Sequence, residues 1–474
     1  MVGDLWRRRK GHSSTLTPTR QAGMKTTTLL LVGASSSMAF WAPSTPPLYR
    51  KQAHRTARYT SSTRTLVDIR ESASRDVNTM DEWATACGVQ RSDGFSLTTG
   101  EDGYDVSVVT QTDLPAGSPV LFVPNEMILS SNQVVQELGR LEEAETSLRG
   151  LGVADQMRQF YLMVKILMEY EKGEESPWFP WLNALPRFFT NGASMTTFCF
   201  ECLPPLAASL AMRERTNLIS MDVNKVPYLS DETKNNGELV RWAFQIACTR
   251  GLEANDGSVD LLETSEHASD LRIAPMADMF NHGTYPEVEI GYDEYGNLHA
   301  QTNQDVPAGS PLRISYGDPT NPSYLFARYG FVDDSSPATF CKVMIPHVND
   351  QLRDIGYAHN RMLFFKDTGE ASEEVFDVLL YQILSSTNAA KKKEFYDAHM
   401  HGDYETKQRL HEQYWPETSA KLQRHIDSLL GQVEDISTKA HEQDINLHPR
   451  LPLIMRHNEF VRDTFRKVRA HYFG

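Results

Sequence analysis

The sequence predicts an α+β protein: a β-rich domain interrupted by a helical insert, followed by a separate all-helical region. Three observations lead there. The segment Asp113-Leu-Pro-Ala-Gly-Ser-Pro-Val120 recurs as Asp305-Val-Pro-Ala-Gly-Ser-Pro-Leu312. Each copy is a Pro/Gly turn running into a short apolar strand, at 120–123 and 312–315. Between the copies apolar residues recur at helical spacing, and after about residue 350 amphipathic helical patterns dominate. The two copies lie much too far apart for a solenoid repeat, so they represent one strand–turn–strand device used twice in a single domain.

Taken in order, the chain of 474 residues starts with a segment unlike the rest. Residues 1–67 carry eleven Lys/Arg and one acid, Asp4. From Met24, a basic start, a short apolar run and small residues have the form of a secretory signal, and the run is too short to span a bilayer. Residues 41–67 then combine Arg50, Lys51, Arg55, Arg58 and Arg64 with many Ser/Thr and no acid, which is transit-peptide composition. The series resembles the bipartite plastid leaders of algae with secondary plastids. A plastid address is therefore expected, against a disordered tail on a cytoplasmic protein. Residues 1–75 are set aside from the fold as this leader, and Met24 is an alternative start.

The folded part is expected to begin near Asp81-Glu82-Trp83 and to run to residue 346, with the helical insert at about 131–245. Phe160, Val164 and Leu167 mark one insert helix, and the stretch around Arg241-Trp-Ala-Phe-Gln-Ile-Ala-Cys248 marks another. Residues 288–301 have the pattern of a hairpin with a Gly-Asn turn. From 350 to 474, residues 375–384, the set Leu422/Ile426/Leu429/Leu430 and residues 460–468 are amphipathic helical patterns. Lys391-Lys-Lys393 is expected to be a solvated helix face.

Beyond residue 67 the chain carries 36 Lys/Arg against 61 Asp/Glu. So acidic a body argues against binding nucleic acid through its phosphates and fits a protein that meets other proteins. No segment outside the leader is apolar enough for a membrane span. The five cysteines, with one lone Cys199-Phe-Glu-Cys202 pair, give no zinc site, since a second pair is lacking. They suit a reducing compartment.

Three segments carry chemistry as a set. They are Pro275-Met-Ala-Asp-Met-Phe-Asn-His282, the strand Arg313-Ile-Ser-Tyr-Gly317, and Asn321-Pro-Ser-Tyr-Leu-Phe-Ala-Arg-Tyr-Gly-Phe331, a short helix stopped at Gly330. In this order and spacing they resemble the SET-domain methyltransferases, in particular the Rubisco large-subunit lysine methyltransferase-like group. Glu169-x-x-x-Gly173-Glu-Glu-Ser-Pro-Trp178-Phe-Pro-Trp-Leu-Asn-Ala-Leu-Pro186 is similar to that group's insert motif, and Cys248-Thr-Arg250 to its Ser-Arg segment. The helical C-terminal region matches its substrate-binding domain in position. The resemblance covers roughly residues 81–474.

The resemblance implies a SET domain of small, mostly antiparallel sheets in which the Asn281-His282 and Tyr316 segments are tucked together. It implies S-adenosyl-L-methionine as cofactor and a protein substrate, with Rubisco's large subunit or a sugar-phosphate aldolase as candidates in a plastid. Tyr316 is the expected catalytic group. Val106, Arg250, Asp278, Asn281, His282, Tyr316 and Tyr329 are expected to bind the cofactor, and Leu252 and Phe331 to line the substrate channel; no metal is expected. Methyl transfer from a sulfonium is an in-line displacement, so positioning dominates, and the amine must arrive neutral. Two features depart from the group. Its Gly-x-Gly turn is replaced by Asp105-Val-Ser107, which lacks glycine's tolerance of φ > 0. Gly283 stands where Ser, Thr or Cys is usual. A branch that methylates histidine has Asn two residues after its arginine; here that residue is Leu252, which favours lysine. A non-catalytic binding module with the same fold is the alternative from another class.

Overall fold

The computed structural model describes residues 65–100, 105–258, 260–265, 268–340, 348–358 and 361–474, and these fall in one compact unit, Arg64–Gly474. The expectations about residues 1–64 and Cys341 lie outside the described residues. Thirteen short strands are present among the described residues: β1 (Gln90–Arg91), β2 (Phe95–Thr99), β3 (Val106–Thr110), β4 (Pro119–Val123), β5 (Leu129–Ser130), β6 (Leu252–Glu253), β7 (Leu271–Ile273), β8 (Asn281–His282), β9 (Val288–Tyr292), β10 (Leu298–Thr302), β11 (Arg313–Ile314), β12 (Ala338–Phe340) and β13 (Leu363–Phe365). They form a four-stranded sheet in the order β1-β4-β10-β9, a three-stranded sheet β5-β7-β6, and the pairs β2-β3, β8-β11 and β12-β13. Every pairing is antiparallel except β8 with β11. The small antiparallel sheets of the α+β expectation are therefore present.

The repeated turn explains how these sheets are joined, because the two copies pair with each other. Leu114 and Val306 exchange backbone hydrogen bonds, each 2.8 Å long. The Gly117 N–H donates to Thr302 O at 2.8 Å, and the Gly309 N–H to Thr110 O at 2.6 Å. The Asp113 carboxylate accepts the Ala308 N–H at 2.8 Å, and the Asp305 carboxylate accepts the Ala116 N–H at 2.9 Å. Each contact has its mirror in the other copy, so the repeat is a local pseudo-twofold clamp. Both glycines sit at φ near +80°, which the turn demands and other residues resist.

The helices are α1 (Val77–Ala86), α2 (Ser131–Leu138), α3 (Glu142–Gly150), α4 (Met157–Lys172), α5 (Phe179–Ala184), α6 (Thr197–Glu201), α7 (Pro205–Ile219), α8 (Asp231–Asn235), α9 (Gly237–Arg250) and α10 (Pro322–Tyr329), then α11 (Asp350–Ile355), α12 (Glu373–Thr387), α13 (Ala389–His401), α14 (Tyr404–Gln413), α15 (Trp415–His441) and α16 (Leu451–Phe473). Helix α4 is buried along most of its length, packs along α9, and buries Arg158, Gln159 and Glu169 beside its apolar residues. Its end explains the Glu169-x-x-x-Gly173…Ser176 motif. Buried Glu169 accepts hydrogen bonds from Ser176 Oγ at 2.7 Å and Lys172 Nζ at 2.6 Å, and pairs with Lys165 at 3.1 Å. Gly173 has no room for a side chain: a Cβ there would lie 2.5 Å from Thr65 O.

That contact also moves a boundary. Residues 65–75 were set aside with the leader, yet they pack as part of the body. Val67 is buried in the main core, Thr65 O accepts the Glu174 N–H at 3.1 Å, and Arg75 Nε donates to Ala184 O at 2.7 Å. The segment was overlooked because burying two or three residues leaves no periodic signal. A second adjustment concerns the C-terminal region. It is helical, but it includes β13, which pairs with β12 across the expected boundary, so its one strand is stitched to the domain before it. Its core of α12–α16 contains the expected Leu422, Ile426, Leu429, Phe465 and Val468, whereas Leu430 is only partly buried. Cys199 and Cys202 are buried free thiols, and no metal-binding cluster occurs among the described residues. No described helix is long and apolar enough to cross a membrane. On α13, Lys391 and Lys393 pair with Glu394 and Asp397 of the same helix, as a solvated face would.

Candidate active site

The site forms where two strands run parallel. On β8 and β11, Asn281 lies beside Arg313 and His282 beside Ile314, and the Gly283 N–H donates to Ile314 O at 2.9 Å. Chain segments that leave β8 and β11 are thereby held side by side. Just upstream, Met276 adopts φ +71° and ψ −44°, a strained conformation for a buried non-glycine residue, and a 3₁₀ turn over Ala277–Met279 follows. This turn places Asp278 and Phe280 on the inner side of the crossing.

Tyr316 follows β11 and lies at the centre of a group of rings. Its hydroxyl donates to Phe280 O at 2.5 Å, and its backbone N–H donates to His282 Nδ1 at 3.1 Å. Its ring centroid is 4.7 Å from that of Tyr329, 5.6 Å from His282 and 6.2 Å from Phe331. Phe331 is also 5.5 Å from His282, so the four aromatic residues pack as one ring group. Burial raises the Tyr316 phenol well above its usual range, with Arg250 opposing, and pushes Tyr329 up to about 12. Both hydroxyls are therefore neutral at physiological pH and act as hydrogen-bonding groups.

Helix α10 brings Tyr329 to this ring group. Asn321 caps it by accepting the Tyr324 N–H, Pro322 occupies its first turn, and Gly330 ends it in a left-handed conformation. Gly330 is obligatory, because a Cβ would lie 2.5 Å from Thr190 Oγ1. The insert grips this end: Thr190 Oγ1 donates to Gly330 O at 2.5 Å and Asn191 Nδ2 to Arg328 O at 3.2 Å.

The polar floor is built from α9, the 3₁₀ turn and β3. Arg250, the last residue of α9, donates to Asp278 O and contacts Asp278 Oδ2 at 3.2 Å. Trp181 Nε1, from the insert motif, donates to the same Oδ2 at 3.0 Å. Asn281 Nδ2 donates to Val106 O at 3.2 Å and Ser107 Oγ at 3.0 Å. This bears on the missing glycines. Ser107 is extended in β3, opposite Thr98, and its hydroxyl takes part in the contact with Asn281. The position needs no glycine conformation here.

Of the residues expected to form the site, Val106, Asn281, His282, Tyr316, Tyr329 and Phe331 are linked by direct contacts, and Arg250 and Asp278 adjoin them. Leu252 stands apart from the ring group: it is partly buried on β6, opposite Arg272 of β7. Three further residues belong to the site. Trp181 was legible as part of a motif, though its hydrogen bond to Asp278 was not. Asp333 lies 3.3 Å from His282 Nε2 and accepts hydrogen bonds from Thr284 and Ser335. Arg75, in the segment assigned to the leader, is partly buried beside Met279, where burial and then the neighbouring Arg250 cation lower its pKa, with Asp278 opposing.

No family model matches the chain. Among curated proteins it is similar to the actin-histidine N-methyltransferase of Drosophila melanogaster, 25% identical over 293 residues that span 57% of this chain and 51% of that protein. It is also similar to SET domain-containing protein 4 of Homo sapiens, 20% identical over 250 residues, or 50% of this chain and 54% of that protein. The chain thus spans about half the length of the curated relatives it matches. Among solved structures it is similar to the SET domain of LSMT bound to lysine and AdoHcy, with a TM-score of 0.56 and 14% identity over 84% of this chain and 90% of that one. Rubisco LSMT bound to AdoMet gives a TM-score of 0.55 and 16% identity over 84% and 92%. With the parallel β8–β11 crossing, the small antiparallel sheets and the helical C-terminal region in place, this chain has the SET-domain fold of Rubisco LSMT.

Proposed function

We propose that this protein is an S-adenosylmethionine-dependent protein methyltransferase that modifies a lysine side chain. The observation that carries the reading is a packed ring group set against a polar floor with unsatisfied hydrogen-bonding capacity. Arg250 Nε and Asp278 Oδ1 are both buried and without a hydrogen-bond partner. A ligand with an amino-acid end fits both, since its carboxylate accepts from a guanidinium and its ammonium donates to a carboxylate. Arg75, Arg250, Asp278, Asn281, the His282 backbone and the Val106 backbone are the residues that would hold it. When bound, the cofactor supplies an electrophilic methyl group on a sulfonium. Structures of similar fold contain AdoMet and AdoHcy, which supports this choice.

The protein's own residues position the acceptor and favour its neutral form. Free lysine has a pKa of about 10.4, and burial between Tyr316, Tyr329, Phe331 and His282 disfavours its charged form. The Tyr316 phenol is neutral, and its proton is committed to Phe280 O, so its oxygen presents lone pairs that can orient an amine N–H. The ring faces tolerate the cationic product. Tyr316 acts by positioning rather than as a strong base.

Leu252 supports lysine on sequence grounds alone, because it stands where the histidine-modifying branch has Asn, and on β6 it lies apart from the ring group. The named activity of the Drosophila relative favours histidine as a second reading. Incubation of the full chain with labelled cofactor and a plastid extract, followed by tandem mass spectrometry of the labelled protein, separates the two. The plastid is proposed on the composition of the leader alone. Calorimetric titration with S-adenosylmethionine tests the cofactor; no binding at millimolar concentration would leave a non-catalytic protein-binding module.

A further inference from the structure

A cavity of about 630 Å³ lies on the other side of α10 from the ring group. Its walls come from the start of α4, from α7, from α10 and from α11 with the residues after it, so the SET domain, its insert and the C-terminal region all contribute. We infer that this cavity binds an acidic segment of the protein substrate, close to the residue that is modified. The inference rests on the proposed methyltransferase reading and adds the chemistry of the substrate.

Charge is the first argument. The body of the protein is strongly acidic, yet this cavity is lined by Arg158, Arg213, Arg328 and Arg353 against Asp155 and Glu214. Arg328 is buried in a 2.7 Å pair with buried Glu214, which anchors the wall. Arg213 and Arg353 differ. Their side chains are 67% and 64% exposed, and their partners, Asp155 at 3.2 Å and Asp350 at 3.0 Å, are also on the surface. Such pairs contribute little, so an incoming carboxylate can replace them.

Unsatisfied acceptors are the second argument. Gln156 and Gln159 line the cavity and are more than nine-tenths buried, and the Oε1 of each has no hydrogen-bond partner. Buried amide oxygens call for donors, which the backbone N–H groups of a peptide supply. A ligand with N–H donors and carboxylates is an acidic peptide. Position is the third argument. Tyr324 faces the cavity and Tyr329 the ring group, five residues along one helix, about 7.5 Å at 1.5 Å per residue. An extended chain covers that in two or three residues.

The test uses the full chain and an acetylated tetra-glutamate peptide bearing a photo-crosslinker, with the tetra-glutamine peptide as its neutral match. Crosslinked residues are mapped by mass spectrometry. The expected result is crosslinking within residues 205–217 and 348–362, at least ten-fold stronger for the glutamate peptide. The double variant Arg213→Glu/Arg353→Glu should lose it at least ten-fold, whereas Lys393→Glu on α13 should not. Circular dichroism checks that both variants are folded. Equal labelling by the two peptides, labelling confined to the basic leader, or an unchanged signal in the double variant overturns the inference. No cofactor is present, so failure of the methyltransferase reading, seen as absent binding of S-adenosylmethionine, is scored separately.

Discussion

His282 accepts the backbone N–H of Tyr316 at Nδ1, 3.1 Å away, while its Nε2 faces Asp333 Oδ2 at 3.3 Å. The first contact requires a lone pair on Nδ1, so a neutral ring carries its proton on Nε2, toward the carboxylate. The histidine thus ties the strand-end tyrosine to the segment after α10, and Asp333 fixes the tautomer that lets it do so. Asp333→Asn is expected to lower turnover several-fold, with acceptor KM rising more than cofactor Kd. Steady-state kinetics and calorimetry check this split.

Asp333 also carries a pH signature. It is partly buried, and the nearby His282 ring with hydrogen bonds from Ser335 and Thr284 outweighs that burial to hold its pKa well below the ordinary carboxylate range. A depressed folded-state pKa means that the stabilisation is complete above the unfolded value of about 3.9 and is lost as pH falls toward the folded value. Wild type should therefore lose stability below about pH 4. Asp333→Asn should show a shallower acid limb in urea unfolding midpoints measured from pH 5 to pH 2.

Tyr316→Phe removes the hydroxyl that meets Phe280 O and leaves the ring stack with Tyr329 in place. Turnover should fall by roughly 10²–10⁴-fold, with cofactor affinity within a few-fold of wild type. Near-normal methylation by this variant would remove Tyr316 from the role given to it.

Arg75→Ala tests whether the segment before α1 belongs to the site. Cofactor affinity should drop at least ten-fold, or about 1.4 kcal/mol, by calorimetric titration. Unchanged affinity would make Arg75 purely a packing residue tied to Ala184 O.

Glu169→Ala tests the insert motif as a structural device. The change leaves Lys165, whose side chain is largely buried, without one of its two carboxylate partners and frees Ser176 Oγ. The expected loss is about 3–5 kcal/mol of unfolding free energy in urea, which is the usual cost of breaking a buried pair.

His457 on α16 offers a second pH test. It is fully buried, stacks on Phe326 of α10 with ring centroids 4.4 Å apart, and lies 3.2 Å from Ser323 Oγ. Burial brings its pKa down to about 4. The unfolded chain binds this proton near pH 6.5, so the stabilisation is full above that and is lost as pH falls to about 4. His457→Gln should flatten the stability profile between those limits.

The sequence by itself determined the class of fold, the insert helices, the hairpin, the helix stop at Gly330 and the central place of Asn281-His282 and Tyr316. Each of these is written locally, in a period, a turn residue or a motif at fixed spacing. Tertiary structure alone decided the contacts that cross the chain. The reciprocal pairing of Asp113 and Asp305 with opposite turns, the packing of residues 65–75 against Gly173, and the approach of Arg75 and Trp181 to Asp278 join residues about a hundred or more positions apart. Single residues buried by such contacts leave no periodic trace. The missing glycines show the same limit from the other side. Asp105 and Ser107 looked costly beside a glycine pattern, yet Ser107 is extended and its hydroxyl accepts from Asn281. Whether a position needs glycine depends on the backbone conformation and neighbours around it, and only the folded chain supplies both.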